Sequence, residues 1–430
     1  MGPADTHGVR SCVVTSPESS APAEVLVVRT VALDPAHPAS SMALLDLLPA
    51  SDPVTWLRNG EGLIGWGVAA RVQTHGATRF SDADKWWSET VASADVHDEV
   101  AEPGTGLVAF GSFAFADAPG DSVLVVPEVV VGRRAGRTWV TTVNAASPDL
   151  TRATAPTPPL GLAFAEGSRS GEEWARVVAD AVARIGAGEL EKVVLARDLI
   201  ATTAGGFDVR WPLHRLARDY ATCWTFHVEG MFGATPEMLV RRERGLVTSR
   251  VLAGTIRRSG DDDRDLALAA TLARSSKDLE EHEYAVRSVA DALEPHCSSM
   301  NVPEVPFVLH LPNVMHLATD VNGVVHDTAS SLKLAEALHP SAAVGGTPTT
   351  AATHLIAQIE GMDRGRYAAP VGWINAAGDG EWGIALRSAM DTAAGVRLFA
   401  GCGIVADSDP ASELAESLAK FVPVRDSLGT

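Results

Sequence analysis

Four acidic residues are spaced for joint work. Asp278 and Glu281 stand three apart in SSKDLEEHE, and Glu413 and Glu416 stand three apart in SELAESLAK. On a helix, residues three apart share a face. The ordinary reading is two solvated helix faces, because each segment keeps a separate apolar stripe for a core. The sharper reading is a magnesium site. Mg²⁺ takes oxygen ligands, keeps several waters, and binds one or two carboxylates together with substrate oxygens. One glutamate from each helix would suffice, with the other acids holding waters.

Two further residues could move protons. Lys192 opens the apolar run KVVLA, and strand alternation places it on the face of Val194 and Ala196. A lysine at a strand entrance ordinarily carries its charge out to water. Held among apolar groups, its amine becomes a candidate general base. Glu237 in GATPEMLV follows a proline and precedes an apolar strand. Most such glutamates are surface residues. A desolvated one has a raised pKa and can serve as a general acid.

Other residues could hold an anion. Arg387 in IALRSA is read on a strand, as a structural ion pair or as a two-pronged carboxylate clamp. Gly345 and Gly346, and Gly401 and Gly403, mark tight turns or places where backbone N–H groups meet a carboxylate. His316 in LPNVMHLAT has apolar neighbours and reads by default as a satisfied core histidine. There is no GxSxG, no GxxxxGK[ST] and no GxGxxG.

The elements that must position these residues mix strands with helices. Residues 25–33, 62–73 and 106–116 read as strands, and 121–143 as a hairpin turning at RRAGR. Residues 147–170, rich in Pro, Ser and Thr, read as a connector. From 171 an amphipathic helix carries Trp174, Val177, Val178, Ala181 and Ile185 on one stripe, stopped by Gly186 and Gly188. A long helix from about 276 carries Leu279, Val286, Val289 and Leu293. GEWGIALRSAMDT and GVRLFAGCGIVA read as a strand pair, and a last helix has Pro410 near its first turn. Adjacent strands of hairpin type predict an antiparallel α+β protein, not a doubly wound sheet.

Bulk properties narrow the partners. The 430 residues are 46% hydrophobic, ample for a large core, and no apolar run is long enough for a membrane helix. The first 24 residues lack a basic region followed by an apolar run, and they read as a flexible lead-in. The four cysteines lie far apart with no CxxC pair, which fits a reducing cytoplasm and disfavours a zinc site. A net charge of −19 disfavours nucleic acid and acidic membrane surfaces as partners. It would also repel an anionic substrate, so such a substrate needs local neutralisation. Charge does not count subunits, and a monomer is the simplest expectation.

Nine segments then occur in a telling order: GELEKVVLAR, GATPEMLV, LAGT, SSKDLEEHE, LPNVMHLAT, LHPSAAVGGTP, DRGRYAAPVGW, IALRSA and AGCGIVADSDPASELAESLAK. Together they resemble the chorismate-utilising enzymes, and within them the isochorismate synthases. The resemblance runs from about 171 to 420. It implies one chorismate-binding domain over 25–430, with a variable part at 25–160, built as two stacked antiparallel sheets with helices outside. It implies that chorismate, a dianion, binds between the sheets with Mg²⁺. It places the water-activating base at Lys192 and the general acid at Glu237. It places the metal at Glu281 and Glu416, with Asp278 and Glu413 close by or joined through water. Tyr367 and Arg387, with backbone at Gly401 and Gly403, match positions that hold the enolpyruvyl carboxylate. Lys420 matches a further substrate- or metal-shell position, and Thr255 and His316 match residues lining the ring.

The branches of the family differ at nameable positions. Anthranilate synthases usually carry glutamine where Lys192 stands, so the lysine speaks for water as nucleophile. Aminodeoxychorismate synthases carry a lysine where VLAGT has Ala253. Salicylate synthases share Lys192 and Glu237 and go on to eliminate pyruvate. Ala385 and Leu386 before Arg387 look like isochorismate synthases. Ala369 stands where the family usually has glycine. A non-catalytic relative that binds chorismate or a partner protein would be marked by loss of the base, the acid or a metal glutamate, and all are present. The resemblance leaves open whether the product would feed menaquinone or siderophore biosynthesis.

Overall fold

Alternation along the strands decides what each face must meet. Trp56 faces a core shared with Val240, Val251 and Trp382, while its neighbour Leu57 faces a second core with Leu213, Leu216 and Phe421. Leu63 and Ile64 divide in the same way, as do Val130 and Val131. A sheet that is apolar on both faces has to be covered on both. The computed structural model shows that arrangement. It describes residues 25–310, 314–326 and 328–429, without the side chains of Lys277 and Glu281. The expected lead-in at 1–24 and the LPN of LPNVMHLAT lie outside the described residues.

Strands are numbered along the chain. The larger sheet has 13 of them among the described residues. From one edge it runs β10 (Ala163–Glu166), β11 (Lys192–Thr202), β23 (Gly395–Ile404), β22 (Ser388–Thr392), β13 (Met231–Thr235) and β12 (Trp224–Val228). It continues through β2 (Val54–Arg58), β3 (Glu61–Trp66), β8 (Val129–Arg134), β9 (Arg137–Val143), β1 (Val27–Ala32) and β5 (Asp95–Asp98). The short β19 (Gly346–Thr347) pairs with β11 off this path. The smaller sheet has 10 strands. It runs β16 (Cys297–Asn301), β18 (Val314–Val325), β15 (Leu246–Arg257), β14 (Met238–Glu243) and β21 (Gly380–Ile384). Then come β20 (Pro370–Asn375), β6 (Val108–Ser112), β7 (Ser122–Val126) and β4 (Ala70–Thr74), with β17 (Phe307–His310) pairing β18. Among the described residues only β1 and β5 pair in parallel.

The helices are α1 (Arg79–Ser93), α2 (Gly171–Gly186), α3 (Arg210–Asp219), α4 (Asp262–Leu272), α5 (Ser276–Leu293), α6 (Ser331–Ala337), α7 (Thr349–Ile359) and α8 (Pro410–Leu428). Helices α2 and α3 pack on α8 against the larger sheet, and α1, α5 and α6 lie on the smaller one. This is the α+β stack of two sheets with helices outside that the resemblance implies. Local chemistry fixes the helix ends. A capping box between Ser170 and Glu173 starts α2, and Asp409 caps α8 by accepting from the Ser412 N–H.

Four apolar runs change sheets, and the breaks have causes. The chain leaves β3 at Gly67, whose φ is +70°, and enters β4 in the other sheet. It passes from β7 to β8 through Pro127, and from β13 to β14 through Pro236. It passes from β21 to β22 through Arg387, whose φ is +49°. Left-handed backbone and a missing N–H both end a ladder. Residues 62–73 and 121–132, each expected as one strand, are therefore two strands in different sheets. The segment GEWGIALRSAMDT divides likewise, and only its second part pairs with β23. The expected connector at 147–170 contains β10, which pairs with β11.

Candidate active site

Two of the four crossings are neighbours on both sides. β13 pairs with β22 in the larger sheet, and β14 pairs with β21 in the smaller one. Glu237 and Arg387, one in each crossing, thus open onto the same cavity, of about 330 Å³. The sequence placed Arg387 on a strand. It sits instead in the bend between two strands, because the chain must turn there to change sheets. A non-glycine residue at positive φ is uncommon, and such positions cluster at functional sites.

The crossing buries Glu237 to 7% exposure. Burial pushes its carboxyl up to about 8, against the opposing charges of Lys192, Arg387 and Lys420. The group is then protonated at neutral pH. Arg387 makes no salt bridge among the described residues, although burial presses its guanidinium below the ordinary value. A buried guanidinium that makes no salt bridge is a place for an anionic ligand.

β11 and β23 form the next wall. Lys192 and Val194 both line the cavity, as strand alternation requires. Val194 is opposite Gly403, and Ala196 is opposite Gly401. A β-carbon on Gly403 would lie 3.0 Å from Lys192 Cε, and one on Gly401 would lie 3.1 Å from Tyr367 Oη. The two glycines are there for space, not for backbone freedom. Tyr367 is buried and stacks on Phe399 with ring centroids 5.0 Å apart. Burial raises its phenol above the ordinary value. Lys192, at the first residue of β11, is half-buried, less enclosed than the sequence reading of an apolar surround.

A bulge in β15 shapes the third wall. The β15–β18 register slips at Gly254, whose φ is +75° and whose missing β-carbon would lie 3.2 Å from Asp278 Cβ. Beyond the bulge Thr255 pairs with His316, and Thr255 Oγ1 lies 2.9 Å from His316 Nδ1. Burial, with Arg387 and Lys420 nearby, holds His316 down to about 3, so it is neutral. Its Nε2 is buried without a hydrogen-bonded partner among the described residues.

The last wall is the first half of α8. Glu413, Glu416 and Lys420 all line the cavity. Lys420 Nζ donates to Glu416 Oε1 at 2.6 Å and to the Gly401 carbonyl at 2.8 Å, tying the helix to β23. Burial would raise Glu416, but Lys420 and Arg387 outweigh it and hold the carboxyl below its usual value. Ser408 Oγ donates to Glu413 Oε1 at 2.8 Å. Ligand atoms of Glu413, Glu416 and Cys402 lie within 4.8 Å of one another. Burial pushes the Cys402 thiol up to about 12, so the usable donors are oxygens. Two carboxylates on one helix, with Asp278 on the same cavity from α5, are the donor set a hard dication takes.

The cavity therefore gathers Lys192, Glu237, Thr255, Asp278, His316 and Tyr367 with Arg387, Gly401, Gly403, Glu413, Glu416 and Lys420. Ala385, expected against the substrate, is fully buried, and Leu386 lines the cavity in its place. The Ala385 N–H donates to the Ala369 carbonyl at 2.9 Å, so both alanines stand behind the wall. The Glu281 side chain lies outside the described residues. Arg364 and Val344 line the cavity without having been singled out. Both lie in quoted motifs, DRGRYAAPVGW and LHPSAAVGGTP, but single-sequence spacing assigns them no task.

A cavity between two largely antiparallel sheets, with an enclosed acid, a lysine, an arginine without a salt bridge among the described residues and a carboxylate helix, defines a class. The family model described as chorismate binding enzyme matches residues 15–429, and the chain belongs to that family. A salicylate biosynthesis isochorismate synthase of Pseudomonas aeruginosa is 34% identical over 94% of this chain and 90% of its own length. Isochorismate synthase MenF of Bacillus subtilis is 37% identical over 60% of this chain and 56% of its own. The structure of MenF, the menaquinone-specific isochorismate synthase of Escherichia coli, superposes with a TM-score of 0.78, covering 94% of each chain at 25% identity. The chain is an enzyme of this isochorismate synthase group.

Proposed function

We propose that the protein converts chorismate to isochorismate, with Lys192 as general base, Glu237 as general acid, and Mg²⁺ as cofactor. The observation that carries this reading is the pairing of a neutral, enclosed Glu237 carboxyl with Lys192 on one cavity. A carboxylic acid that stays protonated at neutral pH is what a leaving hydroxyl needs.

Lys192 takes a proton from water as the water oxygen bonds to C2. The ring double bonds shift, the C4–O bond breaks, and Glu237 protonates the departing oxygen. One water enters and one leaves, so the reaction is an isomerisation. Arg387, with the Tyr367 hydroxyl and the open backbone at Gly401 and Gly403, holds the enolpyruvyl carboxylate. Thr255 and His316 orient the ring, His316 through its unpartnered Nε2.

Glu413 and Glu416 would hold the magnesium ion, with Asp278 on the same cavity and Glu281 as a further candidate. When bound, the ion neutralises carboxylate charge and fixes orientation. It is also how a chain of net charge −19 can receive a dianion. No helix among the described residues is long and apolar enough to cross a membrane.

The test is product analysis by chromatography after incubation with chorismate and Mg²⁺. Isochorismate alone is expected. Salicylate with pyruvate would move the protein to the pyruvate-eliminating branch, and no turnover would make it a binder.

A further inference from the structure

Glu360 and Arg364 take no part in the chemistry above, yet they form a deeply enclosed ion pair, of which Arg364 lines the cavity. Their side chains are 1% and 2% exposed. Arg364 Nε donates to Glu360 Oε1 at 2.7 Å, and Nη2 donates to Oε2 at 2.6 Å. Breaking such a pair leaves a buried charge without compensation.

The pair fills a gap in an edge of β11. In a strand, alternate residues turn their backbone groups to the same edge. On this edge β19 pairs with Lys192 and Val193, and β10 pairs with 199–202. Between them no strand lies among the described residues. There Glu360 Oε2 accepts from the Ala196 N–H at 2.7 Å, and Arg364 Nη2 donates to the Val194 carbonyl at 2.7 Å. Arg364 Nη1 donates to the Val344 carbonyl at 2.9 Å, and the Val194 N–H donates to the Gly345 carbonyl at 2.9 Å. A carboxylate and a guanidinium thus do, by side chain, what a neighbouring strand would do by backbone. They join β11 to the loop that leads into β19.

We infer that the Glu360–Arg364 pair is a positioning device for Lys192. It fixes the strand edge at Val194 and Ala196, the residues that share Lys192's face. This inference rests on the reading of Lys192 as the base. A displacement of about 1 Å at a reacting group can cost about 100-fold in rate.

The experiment measures kcat and KM for isochorismate formation in Arg364→Lys, Glu360→Gln, Lys192→Ala and the double variant Glu360→Arg with Arg364→Glu. Arg364→Lys loses the planar fork, and kcat should fall about 100-fold with KM within about threefold of wild type. The charge-reversed pair keeps an ion pair but sets a guanidinium against the Ala196 N–H and a carboxylate against the Val194 carbonyl. It should not recover activity. Recovery by that variant overturns the proposal, because any ion pair would then do. So does a raised KM at unchanged kcat, which would make Arg364 a substrate ligand, or a lowered melting temperature with wild-type kcat. Should Arg364→Lys not fold, the isosteric Glu360→Gln carries the test through amide exchange at Ala196, expected to be faster than in wild type. Unchanged exchange there overturns the proposal. Lys192→Ala separates the two readings. An active Lys192→Ala removes the base. An inactive one beside a fully active Arg364→Lys removes only the positioning role.

Discussion

Two glutamates on one cavity are driven in opposite directions. Glu237 stands where the chain crosses between sheets, buried, facing the charges of Lys192, Arg387 and Lys420 but making no salt bridge among the described residues. Glu416 stands on α8, 46% exposed by side chain, with Lys420 one turn on at 2.6 Å. Burial dominates the first and lifts it to about 8. Burial pushes the second up as well, but Lys420 and Arg387 together outweigh it and hold it below its usual value. The difference teaches that residue type does not set the role here. The crossing keeps its carboxyl protonated at neutral pH, and the helix keeps its carboxyl ionised.

The comparison is broken most severely at the crossing and at the base. Glu237→Gln, which keeps shape but removes the proton, should lower turnover by about 10²–10⁴-fold, and Lys192→Ala should do the same. Chorismate binding, read by calorimetry, should survive in both. A Glu237→Gln enzyme with near wild-type turnover would end the assignment of the acid.

On the helix side the loss should be repaired by cation. Glu416→Gln should weaken Mg²⁺ binding by about 10–100-fold, read by calorimetric titration, with turnover restored in part by excess metal. EDTA should silence the wild-type enzyme reversibly, and undiminished turnover without metal would remove the cation from the scheme.

The pH dependence sharpens the contrast. Turnover requires the protonated Glu237, so it should fall as pH rises through about 8. Stability follows with a definite sign. The unfolded carboxyl ionises near its ordinary value of 4.5, while the folded one keeps its proton to about 8. Between those values the unfolded chain alone is ionised, and folding stability declines as pH rises. Above about 8 both states are ionised and the penalty is constant. Relative to wild type, Glu237→Gln should therefore gain in melting temperature from pH 5 to pH 8 and level off beyond. His316, held down to about 3 from 6.5, acts with the opposite sign, adding stability as pH rises from about 3 to about 6.5, and it does so in wild type and Glu237→Gln alike, so the comparison of the two isolates Glu237.

The smallest effect is expected behind the wall. Ala369 is fully buried, and its carbonyl accepts from the Ala385 N–H behind the cavity wall. Ala369→Gly should leave KM unchanged and cost about 0.4–1 kcal/mol of stability through added freedom of the unfolded chain. A changed KM would show that this methyl shapes the pocket.

Much of this was legible in the amino-acid order. The stripe Leu279, Val286, Val289 and Leu293 gave α5, Pro410 gave the start of α8, and alternation put Lys192 and Val194 on one face. These are local properties, governed by periodicities of 3.6 and 2 residues. The motif series pointed to the cavity residues because it preserves residue types in order. Tertiary structure alone decided the rest. Residues 62–73 and the segment around Arg387 have the composition of continuous strands, and they divide because their halves hydrogen-bond to different sheets. Ala385 carries no mark that would turn it away from the cavity. The Glu360–Arg364 pair, four residues apart in sequence, shows nothing of the strand edge more than 160 residues away that it completes. Desolvation of Glu237 likewise arises from groups distant along the chain. Burial and edge pairing are sums over long-range contacts, and a linear pattern records only the residues that will take part in them.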